Sequence, residues 1–168
     1  QASLSPTNSR LTVVSLDDGG NAWGTIALNW NAGGDATGHM VRIEYSDNGG
    51  LSWSVLASNL TAAAGTYDWN SLPYGSSPGG LWRVISEDDA TVSDQSSVLF
   101  SLRNGGGFSY YVNDGSTYGD VYCNALGNDS NEGILPTAPK ATLQSLVDSR
   151  DLEPGDTVYV DTGTYLLT

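Results

Sequence analysis

Short stretches of alternating apolar and polar residues fill most of the chain up to Arg103. In HMVRIEYS (His39–Ser46), Val41, Ile43 and Tyr45 occupy every second position. Because successive side chains of a strand point to opposite faces, this pattern predicts a strand with one buried face. Gly, Asn, Asp and Ser separate such stretches, as in antiparallel β proteins. The predicted strands are Leu11–Leu16, Gly24–Trp30, His39–Ser46, Ser52–Ala57, Gly65–Leu72, Leu81–Asp88 and Ser96–Leu102.

A glycine run, RNGGGFS (Arg103–Ser109), is the clearest break in the pattern. Three consecutive glycines inside a strand or helix would cost much conformational entropy. We therefore expect two domains, residues 1–103 and residues 104–168.

The second domain begins with apolar and Gly-rich segments and contains one helical pattern. Apolar residues at helical spacing, such as Leu143, Leu146 and Val147, predict a short helix over Lys140–Asp151. The stretch Thr157–Val160 is typical of a strand, with Val158 and Val160 facing inward and Tyr159 outward. The expected fold class is mainly β with one short α-helix.

The first domain resembles immunoglobulin and fibronectin type III sandwiches. The segment ALNWNA resembles their buried-Trp strand, and VRIEYSDNGGLSW resembles their central hairpin. DNGG is a strong hairpin signal, with Asn48-Gly49 expected to take positive φ. The hairpin also resembles the Asp-box of sialidase-like propellers, with Asn48 at the Asp position and Ser52 at the Thr position. That resemblance implies a folding element in which Trp53 covers the turn, and a ligand-binding role is the alternative.

The second domain resembles the start of right-handed parallel β-helix proteins of the pectate-lyase-like superfamily. Five ordered segments carry this resemblance: Tyr110–Val112, Gly127–Gly133, Pro139–Gln144, Pro154–Val160 and Gly163–Tyr165. It implies an N-terminal cap whose helix plugs one end of the coil stack, followed by an incomplete first coil. Either further coils or another molecule would then supply the next layer.

The expected assembly surface is the open end of this incomplete coil, where an uncovered coil is a template for β-pairing. The residues predicted to form it are Thr157, Val158, Tyr159, Val160, Tyr165, Leu166 and Leu167.

Charge and composition argue against some classes of binding partner. The net charge is −13 with a single lysine, Lys140, so neither nucleic acid nor an anionic membrane is an expected partner. An acidic, lysine-poor chain that begins at Gln1 fits a processed extracellular or cell-surface protein. No apolar run is long enough to span a membrane, and one cysteine, Cys123, allows no internal disulfide.

Two binding sites are candidates. Asp129, Asn131 and Glu132 place hard oxygen ligands in the loop GNDSNEG, which suits calcium, although an Asx-turn is the structural alternative. Trp53, Tyr74 and Trp82 are candidates for a carbohydrate platform, with core packing as the alternative.

No catalytic set is expected. His39 is the only histidine, and adjacent carboxylates on a strand point to opposite faces. We therefore expect a non-catalytic structural or adhesive module that self-assembles, as a filament, through its open β-helix end. The alternatives are the non-catalytic N-terminal part of a secreted polysaccharide-degrading β-helix enzyme, and a carbohydrate-binding module.

Overall fold

A computed structural model describes residues 8–165, and these residues are mainly β. One α-helix, α1 (Leu143–Ser149), and two 3₁₀ turns (Gly34–Gly38 and Ala62–Ala64) accompany the strands. The strands are β1 (Arg10–Val13), β2 (Asn21–Ala22), β3 (Thr25–Gly33), β4 (Met40–Ser46), β5 (Ser54–Thr61), β6 (Thr66–Asn70), β7 (Ser77–Ser86), β8 (Ser93–Gln95), β9 (Phe100–Leu102), β10 (Ser109–Val112) and β11 (Thr157–Val160).

The chain divides into two compact units after Asn104. In the N-terminal unit, one sheet has the order β1-β3-β6, and the other has the order β2-β9-β7-β4-β5 with β8 beside β7. Alternate residues of both sheets contribute to one buried apolar core, so the sheets form two layers around it. Large side chains of this core include Leu28, Trp30, Ile43, Tyr45, Trp69, Trp82 and Phe100.

The β4–β5 turn is held by side-chain hydrogen bonds to its own main chain. The Ser46 hydroxyl accepts from the Gly50 N–H at 2.8 Å, and Asn48 Oδ1 accepts from the Ser52 N–H at 3.0 Å. The Trp53 indole N–H donates to the Gly50 carbonyl at 3.1 Å. Positive φ occurs at Gly49 and Gly50 (68° and 89°), so the expectation is confirmed for Gly49 and wrong for Asn48. Asn48 instead uses its side chain to bond the loop.

The second half of the Pro-Gly-rich segment PYGSSPGG (Pro73–Gly80) belongs to a strand. Strand β7 begins at Ser77 and runs through the Pro-Gly-Gly stretch, with an irregular register against β9 between Ser77 and Gly80. Such an irregularity lets glycine and proline remain in a strand. Trp82 therefore lies well inside the strand, and its indole points into the core.

In the C-terminal unit, β10 and β11 pair in parallel, with Tyr110 opposite Val158 and Val112 opposite Val160. The other side of β10 is occupied by the main chain of Lys140, whose N–H donates to the Tyr111 carbonyl at 3.0 Å. A parallel bridge also joins Val112 to Lys140. Strand β10 is thus central, and β11 is at the edge.

Helix α1 closes one side of the small core of this unit. The Thr142 hydroxyl caps its start by accepting from the Ser145 N–H at 3.1 Å. Leu146 is fully buried against Phe108, Tyr110 and Val112. The expected helix over Lys140–Asp151 is therefore shorter than predicted, because the main chain at Lys140 is used by β10 and Arg150 is already extended.

Candidate functional site

The free edge of β11 is the main candidate site. The N–H groups of Thr157 and Asp161 donate to the carbonyls of Phe108 and Val112, at 2.8 and 3.0 Å. In a parallel ladder, the N–H and C=O of alternate residues point to opposite sides of the strand. The main-chain groups of Val158 and Val160 therefore point away from β10. Within residues 8–165, no strand pairs with this side of β11.

The inner face of the ladder is also open at β11. Val112 and Val160 are in-register neighbours on that face, yet Val112 is 0% exposed and Val160 is 39% exposed. Tyr110 is buried, whereas its neighbour Val158 is only partly buried. Burial thus falls from β10 to β11 on this face.

The outer face of the ladder carries a row of tyrosines. The rings of Tyr111 and Tyr159 stack with centroids 5.4 Å apart and planes 19° apart. The ring of Tyr122 packs on Tyr159 at 4.9 Å and is 49% exposed. Sequence reasoning placed Tyr159 outward but missed Tyr111 and Tyr122. The period of two in Tyr110-Tyr111-Val112 indicates Tyr111, whereas no sequence pattern indicates Tyr122.

The carboxylate of Asp161, directly after β11, binds the main chain of a distant loop. One oxygen accepts from the Val121 N–H at 2.7 Å, and the other accepts from Tyr122 and Cys123 at 2.8 and 2.6 Å. Burial alone would raise the pKa of Asp161, but these bonds and one from Thr162 outweigh it and lower the pKa to about 2. We call this arrangement the Asp161 clamp. Sequence reasoning missed it.

Two further carboxylates of the unit also bind main-chain N–H groups. Asp156 accepts from the Phe108 N–H at 2.7 Å, and so holds the start of β10 beside the start of β11. Asp114 accepts from the Ser116 and Thr164 N–H groups at 2.8 and 3.0 Å. These acids therefore act as connectors between chain segments that are far apart in sequence.

The three candidate calcium ligands lie in one loop, but their polar groups bond to the protein. Asp129 Oδ1 accepts from the Thr142 N–H at 2.9 Å, and the Asn131 amide donates to the Pro139 carbonyl at 2.8 Å. Glu132 forms an ion pair with Arg150. Within residues 8–165, no group of three or more His, Cys, Asp or Glu side chains is arranged to hold a metal.

The three candidate glycan residues do not share a surface. Trp82 is 0% exposed, and its indole N–H donates to the Ser15 carbonyl at 2.7 Å. Tyr74 is partly buried and packs edge-on against Trp69 at 5.2 Å. Trp53 is partly exposed, with the guanidinium of Arg83 4.0 Å from its ring centroid. A fully buried indole offers no face to a ligand.

Among the predicted assembly residues, those of β11 form the free edge described above. The Tyr165 ring packs against the core of the C-terminal unit, and its hydroxyl donates to the Asp161 carbonyl at 3.0 Å. Leu166 and Leu167 lie outside the described residues.

A cleft of about 990 Å³ lies beside α1 and mixes apolar and acidic groups. Leu143 and Val147 line it, and both are partly exposed. Of the lining acids, Asp129 is bonded to the main chain and Asp148 accepts from the Gln144 amide at 2.7 Å. These carboxylates are thus engaged with neighbouring protein groups.

Comparisons with known proteins provide no identification. No protein-family model matches the chain, and no curated protein or solved structure is significantly similar to it. Among residues 8–165, no helix is both long and apolar enough to cross a membrane.

Proposed function

We propose that this protein is a non-catalytic extracellular structural module, with a fibronectin-type sandwich preceding the capped start of a parallel β-helix-type stack. The free edge of β11 is its assembly surface, which takes up a further β-strand. The observation that carries the proposal is the exposure of Val160, 39% against 0% for its neighbour Val112 on the same inner face.

The composition of β11 supports an interface at this edge. Its sequence, Thr-Val-Tyr-Val, has strong β propensity and carries no charge and no proline. An unprotected edge of this kind pairs readily with other strands, and natural proteins normally block it. Burying a whole Val side chain contributes about 1.5 kcal/mol, so leaving Val160 open forgoes part of that stabilisation.

Three strands of the N-terminal unit, β5, β6 and β8, carry protective features that β11 lacks. Strand β5 has an irregular register against β4, and its Asn59 has a left-handed φ of 55°. Strand β6 presents the exposed charge of Asp68, and β8 is a short polar strand. Irregularities, charges and short length all discourage edge pairing. The contrast within one chain supports an assembly role for β11.

Four acids of the C-terminal unit support a structural rather than a catalytic role. Asp114, Asp129, Asp156 and Asp161 all accept hydrogen bonds from main-chain N–H groups, which uses the oxygens that acid–base chemistry would need. The net charge of −13 supports an extracellular setting, where high charge maintains solubility.

Light scattering across a concentration series tests the proposal. We expect the mass of the 168-residue chain to rise over about 1 μM to 1 mM, the range for an interface below standard size. Val160→Lys places a charge on the edge and should abolish the rise. Val147→Lys, on the exposed side of α1, is the matched control and should behave like the unchanged protein. A chain that stays monomeric throughout would refute the proposal.

A further inference from the structure

We infer that the β11 edge pairs with the same edge of a second copy, antiparallel about a two-fold axis, with Val158 opposite the partner's Val160. This inference rests on the proposed function and adds the identity and register of the partner strand. Two identical edges related by a two-fold axis can only run antiparallel. The axis then passes beside Tyr159.

The free main-chain groups favour this register. Val158 and Val160 both direct their N–H and C=O away from β10, as derived from the bonds of Thr157 and Asp161. Placed opposite the partner's Val160, Val158 exchanges two N–H···O bonds with it, and the symmetric pair does the same. Tyr159 turns its main chain toward β10, so the two copies of Tyr159 form the non-hydrogen-bonded pair between them.

Side chains favour the same register over its neighbours. Val158 and Val160 face the open inner side, so each valine meets a valine of the partner there. Shifting the axis to Val158 would instead place Val160 opposite the partner's Asp156. Shifting it to Val160 would place Tyr159 opposite the partner's Asp161. The axis at Tyr159 joins apolar residues and extends the tyrosine row on the outer face.

The contact surface itself carries little charge. Each chain has a net charge of −13, so two copies repel at long range, and salt of about 0.1 M screens that repulsion beyond about 10 Å. The acids flanking β11 are Asp156 and Asp161, and both carboxylates bond to main-chain N–H groups of their own unit. The strand between them is uncharged.

A closed pair suits the C-terminal unit better than the filament that the sequence suggested. A filament needs two different complementary edges, because each copy must be both donor and acceptor of a strand. On the far side of β10 that second edge is already taken by the main chains of Gly133 and Lys140. Pairing of one short strand also buries less than about 1,000 Å², so we expect a weak, concentration-dependent dimer.

Disulfide trapping tests the register. A non-hydrogen-bonded antiparallel pair has Cα atoms about 4.5 Å apart, within the range that a disulfide spans. Tyr159→Cys should therefore form a covalent dimer in a glutathione redox buffer, at protein concentrations where light scattering shows association. Thr157→Cys, which would face the partner's Asp161, is the control and should give at least about tenfold less dimer. The native Cys123 is buried, so the unchanged protein provides the background.

A mixture of two variants gives a second measurement that does not remove Tyr159. Val158→Cys and Val160→Cys chains, mixed, should cross-link to each other, since hydrogen-bonded pairs have Cα atoms about 5.5 Å apart. Each variant alone should not cross-link. Absence of the mixed dimer, together with no trapping of Tyr159→Cys, would overturn the register.

The outcomes separate the inference from the proposed function. If the unchanged protein associates but neither trapping experiment exceeds its control, the two-fold register is wrong while the assembly edge stands. If the unchanged protein stays monomeric up to about 1 mM, both are wrong. Association with trapping at Tyr159 supports both.

Discussion

The Asp161 clamp should control how often the loop around Cys123 opens. In Asp161→Asn, one carboxylate oxygen becomes an amide NH₂ that cannot accept from the N–H groups it faces. The clamp bonds Val121 and Thr162 through one oxygen, and Tyr122 and Cys123 through the other. Whichever oxygen is replaced, two N–H donors lose their acceptor.

The size of the effect follows from the loss of charge on the acceptor. Of the four donors only the Cys123 N–H is buried, and water can reach the other three. A hydrogen bond to a charged group contributes about 1.5–3 kcal/mol against about 0.5–1.5 kcal/mol for a neutral one, so the substitution costs at least about 1 kcal/mol. Each 1.4 kcal/mol is a factor of about ten in an equilibrium, so the open population should rise at least roughly 5-fold. The Cys123 N–H is one of the clamped groups, and its side chain is only 7% exposed.

Thiol labelling measures that population directly, because Cys123 is the only cysteine. In the closed loop, burial is the main cause that raises the thiol pKa to about 11, so reaction requires opening. Asp161→Asn should be labelled at least roughly 5 times faster than the unchanged protein at pH 8. Asp151→Asn, at an exposed acid, removes the same charge and should change the rate little. If the two variants label within threefold of each other, the clamp does not limit opening.

Two further results are expected in the same unit. The pKa of Asp161 is lower folded than unfolded, so its stabilisation is present above about pH 4 and lost toward pH 2. The labelling gap between Asp161→Asn and the unchanged protein should therefore close over that range, measured with a pyridyl disulfide reagent; a constant gap would contradict it. Gly127→Ala would place a Cβ in severe overlap with the Asn113 carbonyl oxygen and should lower the urea midpoint, with a loss of unfolding free energy of about 1–3 kcal/mol or more. Gly115→Ala has open space and should leave the midpoint unchanged.

Local sequence patterns predicted whether most elements are strands or helices, because alternation and helical spacing depend only on residues close together in the chain. The boundaries depended on partners far along the chain. The helix predicted from Lys140 begins only at Leu143, because the main chain of Lys140 is hydrogen-bonded to β10. The Pro-Gly-rich stretch before Trp82 has the composition of a loop, yet from Ser77 onward it lies in β7, where an irregular register accommodates it. Neither the pairing of Lys140 with β10 nor the register of β7 against β9 can be predicted from the local sequence.

The candidate sites were harder to predict for a chemical reason. An Asp- and Asn-rich loop has the same composition whether its oxygens hold calcium or accept main-chain N–H groups. In the structure, the Asp129 carboxylate accepts from the Thr142 N–H. The main-chain carbonyl of Asp129 accepts from the Lys140 ammonium at 2.9 Å. Choosing between the two uses requires knowing which N–H groups lie nearby, and only the folded chain shows that.

The clamp and the proposed assembly edge are physically connected through Asp161. Its carboxylate holds the Tyr122 N–H, and the Tyr122 ring packs on Tyr159 of β11. Its own N–H continues the ladder by donating to Val112. The end of β11 is thus fixed from the loop side and from β10 before any partner strand arrives. A strand that is already ordered loses less conformational entropy on pairing, so a short edge can serve as an interface despite its small area. This accounts for a buried, fully bonded carboxylate directly after an uncharged edge strand.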